Sequence, residues 1–268
     1  MANRIDKKFR ELKKGKRKAF IAYITAGDPS LSVTERMVLE LEGSGADLVE
    51  LGIPFSDPLA DGLTIQAASQ RALEKGVNLK KIFRMVGSLR KKTAIPIIFM
   101  TYYNPVLKYG LNRFVTDCSS FGVDGVIIPD LPYEEAGSLR RLADKKRIAT
   151  IFLIAPTSTT ARMRHIAKFS RGFIYYVSLA GVTGARKRLP QDILSKVRTI
   201  KSMTKAPVAV GFGISNSDQA KSIARFADGV IVGSAIVKLI EKYGRNQTRL
   251  LSELSKFSKS LAKAIHGA

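Results

Sequence analysis

Eight short apolar segments recur along the chain, each closing on small or turn-forming residues: 19–27, 46–54, 94–102, 122–130, 149–156, 172–179, 207–214 and 227–235. Most are rich in Val and Ile, the composition of parallel strands buried on both faces. Helical patterns lie between them. Residues 79–92 put Leu79, Ile82, Val86 and Leu89 on one face, and the last helix does the same with Leu250, Leu254, Phe257, Leu261 and Ile265. Eight strands alternating with helices predict an α/β fold, a (β/α)8 TIM barrel. A doubly wound open sheet is the rival, and the regularity of eight units favours closure. No linker or low-complexity tract interrupts the pattern, so the expectation is a single domain over residues 1–268. Residues 1–18 are basic and lead into no long apolar region, so they read as an extra amphipathic N-terminal helix, not a signal peptide. No apolar run is long enough to span a bilayer, and no membrane association is expected.

A barrel directs attention to the C-terminal ends of its strands, where enzymes of this architecture keep their active sites. No lysine lies in any of the eight segments, which excludes a Schiff-base aldolase and an anchor for pyridoxal phosphate on this chain. The only histidines, His165 and His266, fall on a helical pattern and in the tail and are expected at the surface. No metal site is expected from them. The single cysteine, Cys118, rules out a disulfide within the chain and reads as a buried structural thiol. What remains at the strand ends is carboxylates, glycines and aromatic rings.

In the second segment Val49, Leu51 and Ile53 suit the helix-facing side, which turns Leu48, Glu50 and Gly52 into the barrel. A carboxylate there has no basic partner in any strand segment. Desolvation should raise its pKa towards neutrality, as suits a group that both takes and gives a proton. The alternative is a buried Glu satisfied by hydrogen bonds from neighbouring strands. The loop that follows holds Asp57 and Asp61, and either could be a plain helix cap. The seventh segment ends Gly211-Phe212-Gly213, the eighth ends Gly233-Ser234, and the loop after the sixth reads Gly181-Val182-Thr183-Gly184. Loops in those places commonly hold a phosphate through backbone N–H groups and a helix N-terminus. Tyr102, Tyr175 and Phe212 lie near strand ends, as walls of an apolar pocket or as plain core.

The net charge of +23 is the oddest feature, dense at residues 7–18 and 140–147. Nucleic-acid binding would explain it, but the charges are spread over many helical patterns and no zinc-finger spacing or RNA-binding motif accompanies them. The expectation is a basic solvated surface that steers an anionic substrate or an acidic partner, and no nucleic acid.

The stretches at residues 22–29, 50–62 (ELGIPFSDPLADG), 181–186 and 211–215 resemble those of the tryptophan synthase alpha chain family, and the resemblance runs from about residue 5 to 265. It implies a cytoplasmic carbon–carbon lyase that splits indole-3-glycerol phosphate by a retro-aldol reaction into indole and glyceraldehyde 3-phosphate. It assigns the proton shuttle to Glu50 and the partner of the indole N–H to Asp61. It gives phosphate contacts to Gly184, Gly213, Gly233 and Ser234, and positions near the indole to Tyr102, Tyr175 and Phe212. Thr183 matches the lid residue that meets Asp61 on closure. The resemblance further implies an alpha2beta2 assembly with a beta chain that carries pyridoxal phosphate and joins indole to serine, with no cofactor on this chain. Phe55, Asp57, Pro58 and Leu59 would face that partner. Leu63 departs from the proline common in relatives, which leaves the start of that helix less constrained. Two other activities fit the same resemblance: a stand-alone lyase that releases free indole, and a non-catalytic activator of the beta chain.

Overall fold

The computed structural model describes residues 3–177, 191–211 and 213–268. Strands β1 (Ala19–Thr25), β2 (Leu48–Gly52), β3 (Ile97–Met100), β4 (Gly125–Ile127), β5 (Ala149–Ile151), β6 (Leu153–Ile154), β7 (Ile174–Val177), β8 (Val208–Gly211) and β9 (Gly229–Val232) form one parallel sheet. Helices α1 (Arg4–Lys14), α2 (Leu31–Gly43), α3 (Leu63–Glu74), α4 (Leu79–Leu89), α5 (Tyr103–Tyr109) and α6 (Leu111–Phe121) belong to the first half of the chain. Helices α7 (Gly137–Lys146), α8 (Thr160–Phe169), α9 (Gln191–Met203), α10 (Ser217–Ala224), α11 (Ser234–Tyr243) and α12 (Gln247–His266) follow.

The sheet order is β5-β4-β3-β2-β1-β9-β8-β7-β6. Its two ends, β5 and β6, are consecutive pieces of one chain segment, so the covalent joint at Phe152 closes the ring. The expected barrel is therefore present, with one refinement: the fifth segment is two short ladders. β5 pairs with β4 and β6 with β7, and Phe152 turns its ring into the outer core.

Alternation along the strands builds two apolar layers. The outer layer packs strand residues such as Val49, Leu51 and Ile53 against helix residues such as Leu79, Ile82, Val86 and Leu89. Leu250, Leu254, Leu261 and Ile265 of α12 are fully buried, and Phe257 only partly. The inner layer fills the lower barrel with Ile21, Leu48, Ile98, Ile127 and Ile231. From below it is plugged by Ile5, Phe9 and Leu12 of α1, with the Phe9 and Phe173 rings 5.6 Å apart. The expected N-terminal helix is thus the floor of the barrel. Asn3 caps it by accepting from the Ile5 N–H at 2.8 Å, and ties it down by donating to the carbonyls of Asp124 and Arg147 at 2.7 Å each.

Three aspartates stand just before strands at this lower end: Asp47, Asp124 and Asp228. Each accepts a backbone N–H of a neighbouring strand, from Phe20, Ile97 and Val208 respectively. Each is also paired with a cation or a histidine. His266 meets Asp47 at 2.8 Å and Lys201 meets Asp228 at 2.7 Å. Asp124 holds Arg4 and Arg90, each at 2.8 Å. The expectation of surface positions for both histidines is therefore corrected for His266, which is half-buried against a carboxylate, while His165 is exposed. Cys118 is buried. Asp124→Ala would leave Arg90 largely buried without its countercharge and the Ile97 N–H without its acceptor. A stability loss of about 3 kcal/mol is expected, read as a lower urea midpoint at unchanged slope. A loss below about 1 kcal/mol would refute this role for the latch.

Candidate active site

The first two strands set the site. β1 and β2 pair in parallel with Ile21 opposite Leu48, Tyr23 opposite Glu50 and Thr25 opposite Gly52. Partners in such a pair point to the same face, so these six residues stack as three inward layers, apolar below and polar at the mouth. Glu50 occupies the middle layer. It is fully buried, and among the described residues neither carboxylate oxygen has a hydrogen-bond partner. The reading of Glu50 as a side chain satisfied by neighbouring strands is thereby overturned. Desolvation alone pushes its pKa up to about 8.

Asp61 follows β2 in the loop over residues 55–61. Helix α3 is capped by Gly62, with no side-chain capping bond, and the Asp61 backbone carbonyl accepts from Gln66 Nε2 at 2.8 Å. The Asp61 carboxylate is thus free of the capping role that sequence alone left open. Burial raises its pKa to about 6, opposed by a hydrogen bond from the Tyr102 hydroxyl. Tyr102, at the end of the third segment, also accepts the Ala60 N–H at 3.0 Å and packs against Phe55 with ring centroids 5.4 Å apart and the planes tilted by 33°. One buried phenol therefore anchors the whole loop. Phe55 is half-buried in this contact. Leu59 is 84% exposed and Leu63, which opens α3, is 83% exposed. Asp57 is exposed and Pro58 half-buried.

Tyr175 is buried on β7, and its ring leans over Gly211, where an added Cβ would lie 2.5 Å from the tyrosine hydroxyl. Its pKa is raised well above the ordinary phenol range, first by burial, then by Glu50, Tyr23 and Asp61. Tyr23 and Tyr175 each feel the charges of both Glu50 and Asp61, so these side chains face one interior. Tyr23 is the member that sequence reasoning passed over. The available signal was its inward parity on β1 beside Glu50, together with the small Gly52 that makes room for its ring.

On the far side of the mouth, Gly233 opens α11 without a side-chain cap, and Ser234 is the exposed first residue of that helix. A Cβ at Gly213 would meet nothing within 4 Å. Open backbone beside a helix N-terminus is suited to a phosphate. Thr183, Gly184 and Phe212 lie outside the described residues. Among the described residues, no cluster of His, Cys, Asp and Glu has the makings of a metal site.

The chemistry available is acid–base. Two carboxyl groups facing one chamber have environments that separate their pKa values. At neutral pH Glu50 holds its proton and Asp61 is mostly ionised. One is a buried acid, the other an acceptor for an N–H.

A family model described as tryptophan synthase alpha chain matches residues 9–266. The chain is 51% identical over 261 residues to a tryptophan synthase alpha chain of Geotalea daltonii, covering 97% of this chain and 99% of that one. Its fold superposes on tryptophan synthase subunit alpha of Legionella pneumophila with a TM-score of 0.92 at 38% identity, over 99% of both chains. It is also similar to a chain of Mycobacterium tuberculosis tryptophan synthase, with a TM-score of 0.90 at 36% identity and 99% coverage of each.

Proposed function

Because the chain belongs to the tryptophan synthase alpha chain family, we propose that Glu50 and Asp61 carry its cleavage of indole-3-glycerol phosphate. The chain is a carbon–carbon lyase in this reading, and one barrel domain over residues 1–268 does the work. The observation that carries the assignment is Glu50, fully buried at the inner face of the barrel with no hydrogen-bond partner for either oxygen among the described residues.

Breaking the bond between the indole ring and the glyceryl side chain needs the ring to accept the electron pair. Protonation of the ring carbon that bears the side chain achieves this. Glu50 supplies that proton, and Asp61 accepts a hydrogen bond from the ring N–H as positive charge develops there. The Glu50 carboxylate then takes the proton from the side-chain hydroxyl next to the ring. The carbon–carbon bond breaks, its electrons restore the indole, and the oxygen becomes the aldehyde of glyceraldehyde 3-phosphate. Glu50 ends as it began, so one side chain serves both steps with no net proton change.

Tyr102 and Tyr175 wall the ring, and the family resemblance gives Phe212 a place near the indole and Thr183 the lid role, both outside the described residues. Gly184, Gly213, Gly233 and Ser234 hold the phosphate. The +23 surface raises the local concentration of an anionic ester. Phe55, Asp57, Pro58 and Leu59 meet a beta chain, and an alpha2beta2 assembly in the cytoplasm passes indole to that chain's pyridoxal phosphate. This chain itself carries no cofactor.

The test is indole release from indole-3-glycerol phosphate, with and without added beta chain. Cleavage that accelerates with the partner is expected. Strong turnover indifferent to the partner would overturn the subunit reading, and no turnover in either case would overturn the lyase reading. Asp61→Asn is expected to lower indole release about 10²-fold with a urea midpoint no lower than that of the wild type, as loss of one transition-state charge contact should. An unfolded variant would return Asp61 to a structural role.

A further inference from the structure

We propose that Tyr23 is a positioning residue for this cleavage, whose hydroxyl donates a hydrogen bond to the Glu50 carboxylate while that group is charged. The inference rests on Glu50 being the proton shuttle.

The placement comes from the strands. Tyr23 stands directly opposite Glu50 in the β1–β2 pair and shares its inward face. Its ring does not stay in that layer. A Cβ built on Gly52 would lie 2.1 Å from the Tyr23 hydroxyl oxygen, so that oxygen fills the place of the next inward side chain above Glu50 on Glu50's own strand. Side chains two apart along a strand are rooted roughly 6–7 Å apart. A glutamate turned towards the mouth spans that gap.

The donors and acceptors are mismatched in a way that this movement resolves. Both Glu50 oxygens lack partners among the described residues. A charged carboxylate in that position needs a donor. Among the described residues the Tyr23 hydroxyl makes one polar contact, with Thr25 Oγ1 at 3.5 Å, which is at the limit of a hydrogen bond. Ile65, Ala68, Met100 and Val237 pack around the ring and offer no polar side-chain atom. The titratable groups that share the chamber are Tyr23 from β1, Tyr175 from β7, and Asp61 and Tyr102 from the loops after β2 and β3. Among the described residues no lysine or arginine perturbs Glu50. Tyr102 is already engaged by Asp61 and Ala60. Tyr175 feels the Glu50 charge from across the barrel, on β7. Tyr23 is the donor on the adjacent strand.

Tyr23→Phe keeps the ring in the Gly52 notch and removes only the donor. Without it charged Glu50 is less stable and holds its proton more tightly. The alkaline limb of kcat/KM for indole release is therefore expected to move up by about one pH unit, with kcat at the plateau falling about ten-fold and KM little changed. The same displacement is expected without turnover, in the pH titration of the Glu50 carboxylic-acid infrared band, identified by its loss in Glu50→Gln. A variant whose limb and band titrate as in the wild type would overturn the proposal, whatever its rate, because a packing role lowers rate without moving the midpoint. If Glu50→Gln itself turned over normally, the shuttle reading would fail first. An inactive Glu50→Gln beside an unmoved Tyr23→Phe sinks this inference alone.

Discussion

Glu50→Gln is expected to cut indole production by about 10³-fold or more, a loss of roughly 4 kcal/mol in transition-state stabilisation. The amide matches the carboxyl group in shape but can neither deliver a proton to the ring carbon nor accept one from the hydroxyl. Both halves of the cleavage fail together, because one side chain serves both. The fold has no reason to suffer, since the wild-type carboxyl oxygens make no hydrogen bond that the amide would lose. Single-turnover measurement of indole release checks the point. Turnover within ten-fold of the wild type would remove Glu50 from the mechanism.

The same side chain governs a second large effect, on stability. The folded-state pKa of Glu50, about 8, lies above its ordinary value of 4.5. The folded protein therefore keeps a proton that the unfolded chain releases. Stability from this group is fully present below pH 4.5 and is lost as pH rises through about 8. A single such proton changes stability by about 1.4 kcal/mol per pH unit across the window. Several kcal/mol separate the two ends. Asp61 acts in the same direction over a narrower window, between 3.8 and about 6. Urea unfolding of the wild type and Glu50→Gln at pH 5, 6, 7 and 8 should show the variant gaining on the wild type at each step. A constant difference across the series would show that burial does not penalise the Glu50 charge.

Legibility in the sequence follows the range of the interaction concerned. Parity along five residues turned Glu50 inward, and the absence of basic residues from every strand segment foretold its raised pKa. Both are local facts. Asp61 is different. Its neighbours Pro58 and Gly62 suit a turn before a helix as well as they suit a site, and only the resemblance to a family separated the two. The contact of Phe55 with the Tyr102 ring was not legible, because that ring arrives from the next strand. His266 was misjudged for the same reason on a larger scale, since 219 positions separate it from Asp47. The break at Phe152 depends on which strands flank the fifth segment, a property of the closed ring. Tyr23 was visible by parity, yet a tyrosine in an apolar strand reads as core until Gly52 is seen to leave its hydroxyl a place.

The floor of the barrel bears on how the chain is made. Helix α1 is synthesised early, yet its sockets come late: Asn3 and Arg4 bind groups 120 to 144 positions downstream, and Phe9 rests on Phe173. The helix is basic and amphipathic, and with Ile5, Phe9 and Leu12 uncovered it has no stable home until more than half of the chain has left the ribosome. At roughly 5–20 residues per second that is a delay on the order of ten seconds. For that interval an apolar face stays uncovered on the piece that later seals the barrel. Long-range closure of this kind slows folding, and the density of lysine and arginine on the same helix keeps waiting copies apart by charge.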